Sequence, residues 1–181
     1  MDHHDHHSKK FHHLKAELLD RPERRSFIPP DKIVALVAPF AGMRFGDLGC
    51  GTGYGTWPII DAIAGKGRFI GIDSQEEMLA IFRERAAQHA HANSVEAVLT
   101  TDESIALPDA SLDVLLMIAL YHELPDREKT AREIARVLKP GGRVVIIDWR
   151  PLRSTKNACT ARPPITVFPR KRRWTISPPR A

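Results

Sequence analysis

Cysteine is nearly absent from this chain of 181 residues: Cys50 and Cys159 are the only two. A disulfide framework or a cysteine-ligated zinc site needs more thiols at fixed spacings, so neither is expected. Long apolar runs are missing as well, since no stretch approaches the roughly 18 consecutive apolar residues that a membrane helix requires. The N-terminus is histidine-rich and charged, without the apolar core of a secretory signal. A cytoplasmic location and no membrane partner are expected.

A third scarcity is local. Residues 150–181 hold nine Lys or Arg and no Asp or Glu. The formal net charge of +5 invites a phosphate-bearing partner. Taking those nine from the 27 basic residues leaves 18 against 22 acidic ones before residue 150, a net of −4. The chain is an acidic body with a basic tail.

What is present divides into three parts. Residues 1–30 hold a histidine-rich segment and a short helix; the first thirteen residues carry six of the nine histidines, together with Asp2 and Asp5. Imidazoles and carboxylates can bind divalent metals, but chain ends fray, and no metal is assigned. Apolar residues at Phe11, Leu14, Leu18 and Leu19 have helical spacing, Pro22, Pro29 and Pro30 interrupt, and Asp31 is an expected N-cap.

Residues 31–149 alternate short β-type runs with helix-length segments, which predicts a parallel sheet with helical crossovers. Strands are expected at 44–48, 68–72, 95–99, 112–118 and 143–149, and helices at 56–64, 75–90 and 126–138. The run LDVLLMIAL is almost wholly apolar, as in a strand covered on both faces. The last helix should stop at LKPGG. Residues 150–181, with six of the fourteen prolines, show no useful period and are expected to be loosely ordered.

The segment FGDLGCGTGYGT runs from a strand into a glycine-rich turn and then a helix. Gly49, Gly51 and Gly53 can take positive φ and admit a ligand against the backbone, while the following helix offers free N–H groups. The dinucleotide fingerprint G-x-G-x-x-G fails: its third glycine would be Tyr54 counted from Gly49, or Thr56 counted from Gly51. Asp47, at the strand end, would repel a pyrophosphate and attract a cationic amino-acid group. Asp73 ends the next strand, where an acidic side chain can accept hydrogen bonds from ribose hydroxyls or cap the following helix.

Together DLGCGTG, GIDSQEEML, DESIALPDASLDVLL and LKPGGRVVIIDW resemble successive motifs of the class I S-adenosylmethionine-dependent methyltransferases. The resemblance covers residues 32–149. It implies an α/β, Rossmann-like, doubly wound and mostly parallel sheet of about five strands, with S-adenosylmethionine at the strand ends. By that resemblance Asp47, Gly49, Gly51 and Gly53 would hold the methionine portion and Asp73 the ribose. Asp102, with Glu103 as a rival, would take the adenine amino group. Ser74 and Met78 would lie near the adenosine, Met78 being equally suited to a core position. Tyr121 and His122 would face the transferring methyl, His122 as a candidate general base or as a structural residue.

The C-terminal part departs from that pattern. Where the family has a further helix and a β-hairpin, residues 150–181 are rich in proline and arginine, as a shifted reading frame or a truncated product would be. The hairpin is therefore expected to be missing and strand five to be a bare edge, open to self-association. The activity implied is methyl transfer to a small-molecule acceptor. Two cysteines speak against an arsenic-methylating role. The alternatives are a fragment that binds cofactor without turnover, and a non-enzymatic nucleic-acid-binding protein that uses PRKRRW; nucleic acid is the less favoured partner.

Overall fold

In a computed structural model the described residues are 13–148 and, for the backbone alone, Ile165–Pro169. A 3₁₀ helix, His13–Asp20, leads into helices α1 (Pro22–Phe27) and α2 (Pro30–Val37). Both helices begin on a proline, whose missing N–H costs nothing in a first turn. Pro22 and Pro30 thus start helices where interruption was expected. Asp31 is correspondingly inside α2, with Pro29 in the cap position.

The sheet follows: β1 (Met43–Leu48), α3 (Thr56–Ala62), β2 (Gly67–Asp73), α4 (Glu76–Gln88), β3 (Val95–Leu99), β4 (Leu112–Ile118), α5 (Arg127–Val137) and β5 (Leu138–Ile147). These five strands are parallel, in the order β3-β2-β1-β4-β5. β5 starts straight after α5, takes in the Lys139–Pro140–Gly141–Gly142 segment, and shifts register there against β4. That is earlier than the proline and glycines suggested.

Alternation along β4 explains both layers. Val114, Leu116 and Ile118 join Phe45, Ile33 and Val37 of α2, and Ile59 and Ile60 of α3, on one face. Leu115 and Met117 join Ile134 and Val137 of α5 on the other. Each face buries a side chain every second residue, the period of a strand, and a strand covered on both faces becomes a continuous apolar run.

Chain order reverses at β1, which has β2 and β3 on one side and β4 and β5 on the other. Ligands of doubly wound sheets bind at such a switch point, beyond the carboxyl ends of the strands. The bare edge expected at strand five is not found: β6 (Ile165–Pro169) pairs antiparallel with it, from Arg143 opposite Pro169 to Ile147 opposite Ile165. The tail therefore supplies a strand in a segment expected to be loose. Self-association along that stretch of β5 would have to displace β6. The histidine-rich residues 1–12, Cys159, the basic sequence PRKRRW beyond its first residue, Pro169, and the remaining positions where a hairpin was expected to be missing lie outside the described residues. None of the described helices is long and apolar enough to cross a membrane.

Candidate functional site

β1 ends where the backbone must turn sharply under α3. Gly49, Gly51 and Gly53 take φ of +72, +50 and +84, a region that L side chains enter at a cost. The turn is fixed from β2: Asp73 Oδ2 accepts the buried Gly51 amide at 3.0 Å, and Oδ1 accepts the Gln75 amide at 3.0 Å just ahead of α4. One carboxylate thus holds both loops that border the switch point; the cap position of α4 itself falls at Gln75, without a side-chain cap bond, so Asp73 does not cap the helix.

Beside them lies a cavity of about 430 Å³, within the usual range for small-molecule sites. Gly49, Gly51, Asp73, Ser74, Met78, Asp102 and His122 all line it. So do both rivals after β3, Asp102 and Glu103. Met78 is buried to 2% exposure while lining the cavity, so core packing and a ligand contact coexist there.

The loop carrying these acids is anchored to α5. Glu133 Oε2 accepts the Ile105 amide at 3.0 Å, and Arg136 donates to the carbonyls of Ile105 and Leu107 at 2.7 and 2.8 Å. The Arg136 guanidinium holds the Glu133 carboxyl at about 2. Glu133 itself lines the cavity.

Asp47, Gly53 and Tyr121 stand outside the lining. Asp47 lies two residues beyond Phe45 and shares its face of β1, toward α3. Its Oδ2 accepts the Thr56 hydroxyl at 2.8 Å, and burial at 2% exposure pushes its carboxyl up to about 7. Gly53 faces the Trp57 indole, and the Tyr121 ring lies 4.8 Å beneath the Arg127 guanidinium. Asp47 is therefore placed as a support under the turn rather than as a wall of the cavity.

Four lining residues come from the Pro-interrupted N-terminal segment: Leu18, Leu19, Arg24 and Phe27. Asp20 secures that segment, accepting from the Thr52 hydroxyl at 3.0 Å and from Arg85 of α4 at 2.7 Å. Arg24 lies 4.2 Å over the Tyr54 ring and donates to the Leu19 carbonyl, and burial lowers its pKa. The sequence signalled helical spacing here but no partner. Asp148, directly after β5, was also missed: it is buried and lies 2.7 Å from His122 Nδ1. Its only signal is its position at the end of an apolar strand, the same position that Asp73 occupies after β2.

The cavity's charge is lopsided. Asp73, Asp102, Glu103, Glu123 and Glu133 line it against one guanidinium, Arg24. Cys50 lines it too, as a buried thiol whose pKa is pushed up by burial.

Comparison with known proteins agrees with this architecture. A methyltransferase domain profile matches residues 46–146, more than half of the chain. A demethylmenaquinone methyltransferase of Lactococcus lactis is 32% identical over 117 residues, which are 65% of this chain and 46% of that protein. A ubiquinone/menaquinone biosynthesis C-methyltransferase of Vibrio campbellii is 31% identical over 108 residues, 60% of this chain and 42% of that protein. The chain spans about half the length of the curated relatives it matches. The crystal structure of an S-adenosylmethionine-dependent methyltransferase from Aquifex aeolicus superposes with a TM-score of 0.73 and 31% identity, over 82% of this chain and 79% of that one. Its motifs, its strand order and the matched profile place this chain in the class I S-adenosylmethionine-dependent methyltransferase family.

Proposed function

We propose that the chain transfers a methyl group from S-adenosylmethionine to an apolar small molecule. The observation that carries this reading is the pairing of a glycine-turn cradle with a carboxylate-rich cavity at the switch point. The cofactor bears a sulfonium and an ammonium, which lining carboxylates attract; of the five, Glu103 and Glu133 are also paired with Lys129 and Arg136. Asp73 lines the cavity at the end of β2, and its carboxylate is an acceptor of the kind that ribose hydroxyls need. Asp102 or Glu103 would take the adenine amino group, Arg24 the cofactor carboxylate, and Gly49 and Gly51 the close approach of the methionine portion. Bound there, the cofactor supplies an electrophilic methyl group.

The chain's own contribution is placement and exclusion of water. Leu18, Leu19 and Phe27 bring apolar surface to the cavity, and Phe27 is 52% exposed. An apolar acceptor would cover that surface, which supports the choice of a small molecule, as do the quinone-related names of the Lactococcus and Vibrio relatives. Calorimetric titration of S-adenosylhomocysteine into the wild type and Asp73→Ala tests the cofactor site. Binding by the wild type, weakened at least tenfold in the variant, is expected. No binding by the wild type sinks the reading, and binding without transfer to any acceptor leaves a cofactor-binding fragment.

A further inference from the structure

We propose that His122 and Asp148 form a proton-accepting dyad for the methyl acceptor, and that the acceptor is a hydroxylated aromatic molecule bound un-ionised. The proposal rests on the methyltransferase reading above and adds to it the fate of the acceptor's proton.

Asp148 is 8% exposed and grips His122 at two points. Its Oδ1 lies 2.7 Å from Nδ1, and its Oδ2 accepts the His122 amide at 3.1 Å. Backbone and ring are thus fixed by one carboxylate. A carboxylate partner places the proton of a neutral imidazole on Nδ1, which leaves the Nε2 lone pair for a second partner. Glu123 Oε1 is 3.7 Å from Nε2, beyond hydrogen-bond distance, yet close enough to stabilise an imidazolium once it forms. The His122 side chain is 44% exposed and lines the cavity.

Charged groups from other elements share the cavity with the ring: Glu133 of α5, paired with Arg136; Asp102 and Glu103 from the loop after β3, Glu103 paired with Lys129; Asp73 of β2; and Arg24 as a cation. Asp148 acts through His122 and is a positioning residue.

The acceptor class follows from what surrounds the imidazole. Ile118, Leu120 and Leu124 flank it in the chain and line the cavity, as do Leu19 and Phe27 from the N-terminal segment. An apolar ring matches that lining, and a weakly acidic hydroxyl on it carries a proton that a neutral imidazole can take. In the step, the acceptor O–H bond breaks and its proton passes to Nε2. The freed oxygen pair forms the new C–O bond to the methyl carbon, and the S–CH3 bond breaks with its electron pair staying on sulfur. The imidazolium then returns the proton to water.

The test uses the full chain, with His122→Gln and Asp148→Asn beside the wild type. The probe is 7-hydroxycoumarin, whose hydroxyl ionises a little above neutral pH and whose methylation is read by fluorescence. At about pH 6.5 the wild type should exceed His122→Gln by about 100-fold and Asp148→Asn by at least about tenfold. At about pH 9, where the probe is already an anion, both variants should come within about fivefold of the wild type. Both should still bind S-adenosylhomocysteine, which separates loss of the base from loss of the cofactor site.

A deficit of equal size at the two pH values, or no deficit, overturns the dyad. Methylation of 2-phenylethylamine in place of 7-hydroxycoumarin overturns the acceptor class, and so does failure to methylate 7-hydroxycoumarin while S-adenosylhomocysteine still binds. Failure of the wild type to bind S-adenosylhomocysteine is a separate result, which removes the underlying methyltransferase reading.

Discussion

The Asp73 carboxylate accepts the amide of Gly51, 22 positions earlier in the chain, at 3.0 Å. The bond crosses from the end of β2 to the turn after β1, so the two strand ends at the switch point are held as one unit. The same side chain accepts the Gln75 amide at 3.0 Å and is only 7% exposed. One group thus organises its own loop and its neighbour's.

Removing it should therefore damage binding and stability together. Asp73→Ala strips the buried Gly51 amide of its acceptor, at a cost of roughly 1–3 kcal/mol. The affinity for S-adenosylhomocysteine should fall at least about tenfold, equivalent to about 1.4 kcal/mol. Calorimetry and urea unfolding read the two effects separately. Unchanged affinity in a destabilised variant would show that Asp73 supports the turn without touching ligand.

Gly53 and Gly141 offer a matched pair for the glycine turn. Both have positive φ, +84 and +86. A Cβ on Gly141 meets nothing within 4 Å, whereas one on Gly53 would overlap the Trp57 indole. That indole is stacked on Phe82 at 4.9 Å and donates to the Thr52 carbonyl at 2.9 Å, so it has little room to retreat. Gly141→Ala should cost about 1–2 kcal/mol of backbone strain, and Gly53→Ala that plus roughly 1–3 kcal/mol of overpacking. Equal urea midpoints for the two variants would refute the clash.

The N-terminal segment depends on Asp20. Its ion pair with Arg85 is about one-third exposed on each side and is worth under about 1 kcal/mol to global stability. Its local effect is larger, because Leu18, Leu19 and Arg24 reach the cavity only while the segment is held. Asp20→Ala should leave the urea midpoint nearly unchanged, speed proteolysis before Ile28, and weaken S-adenosylhomocysteine binding severalfold. Unaltered proteolysis would show that the segment is held by other contacts.

The sequence makes the parts governed by short periods legible. The apolar run of β4, the glycine turn and the acidic strand ends each reflect contacts within a few residues or within one covered sheet, and they locate the fold and most of the cavity lining. Pairings across the chain leave no period. Asp20 meets Thr52 at a separation of 32 and Arg85 at 65, and His122 meets Asp148 at 26. Nothing in the spacing of Leu14, Leu18 and Leu19 says that Leu18 and Leu19 reach the cavity while Leu14 stays exposed, so the N-terminal contribution to the site stayed hidden. Asp47 is the instructive case between these extremes. Its position at the strand end suggested a ligand contact, while the alternation that buries Phe45 against α3 also turns Asp47 toward Thr56.

That buried carboxyl gives the folded state a pH dependence of definite sign. Burial raises Asp47 from an ordinary 3.8 to about 7. Between those values the folded chain keeps a proton that the unfolded chain releases, so stability falls as pH rises through the window and levels off above about pH 7. The penalty at the upper end is on the order of a few kcal/mol. Asp47→Asn stays neutral at every pH and retains an oxygen for the Thr56 hydroxyl. The difference in guanidinium midpoint, variant minus wild type, should be near zero at about pH 3, below both values, and clearly positive at about pH 8. A difference that does not change between those two pH values would mean that Asp47 is ionised in the folded protein, with a partner that compensates its burial.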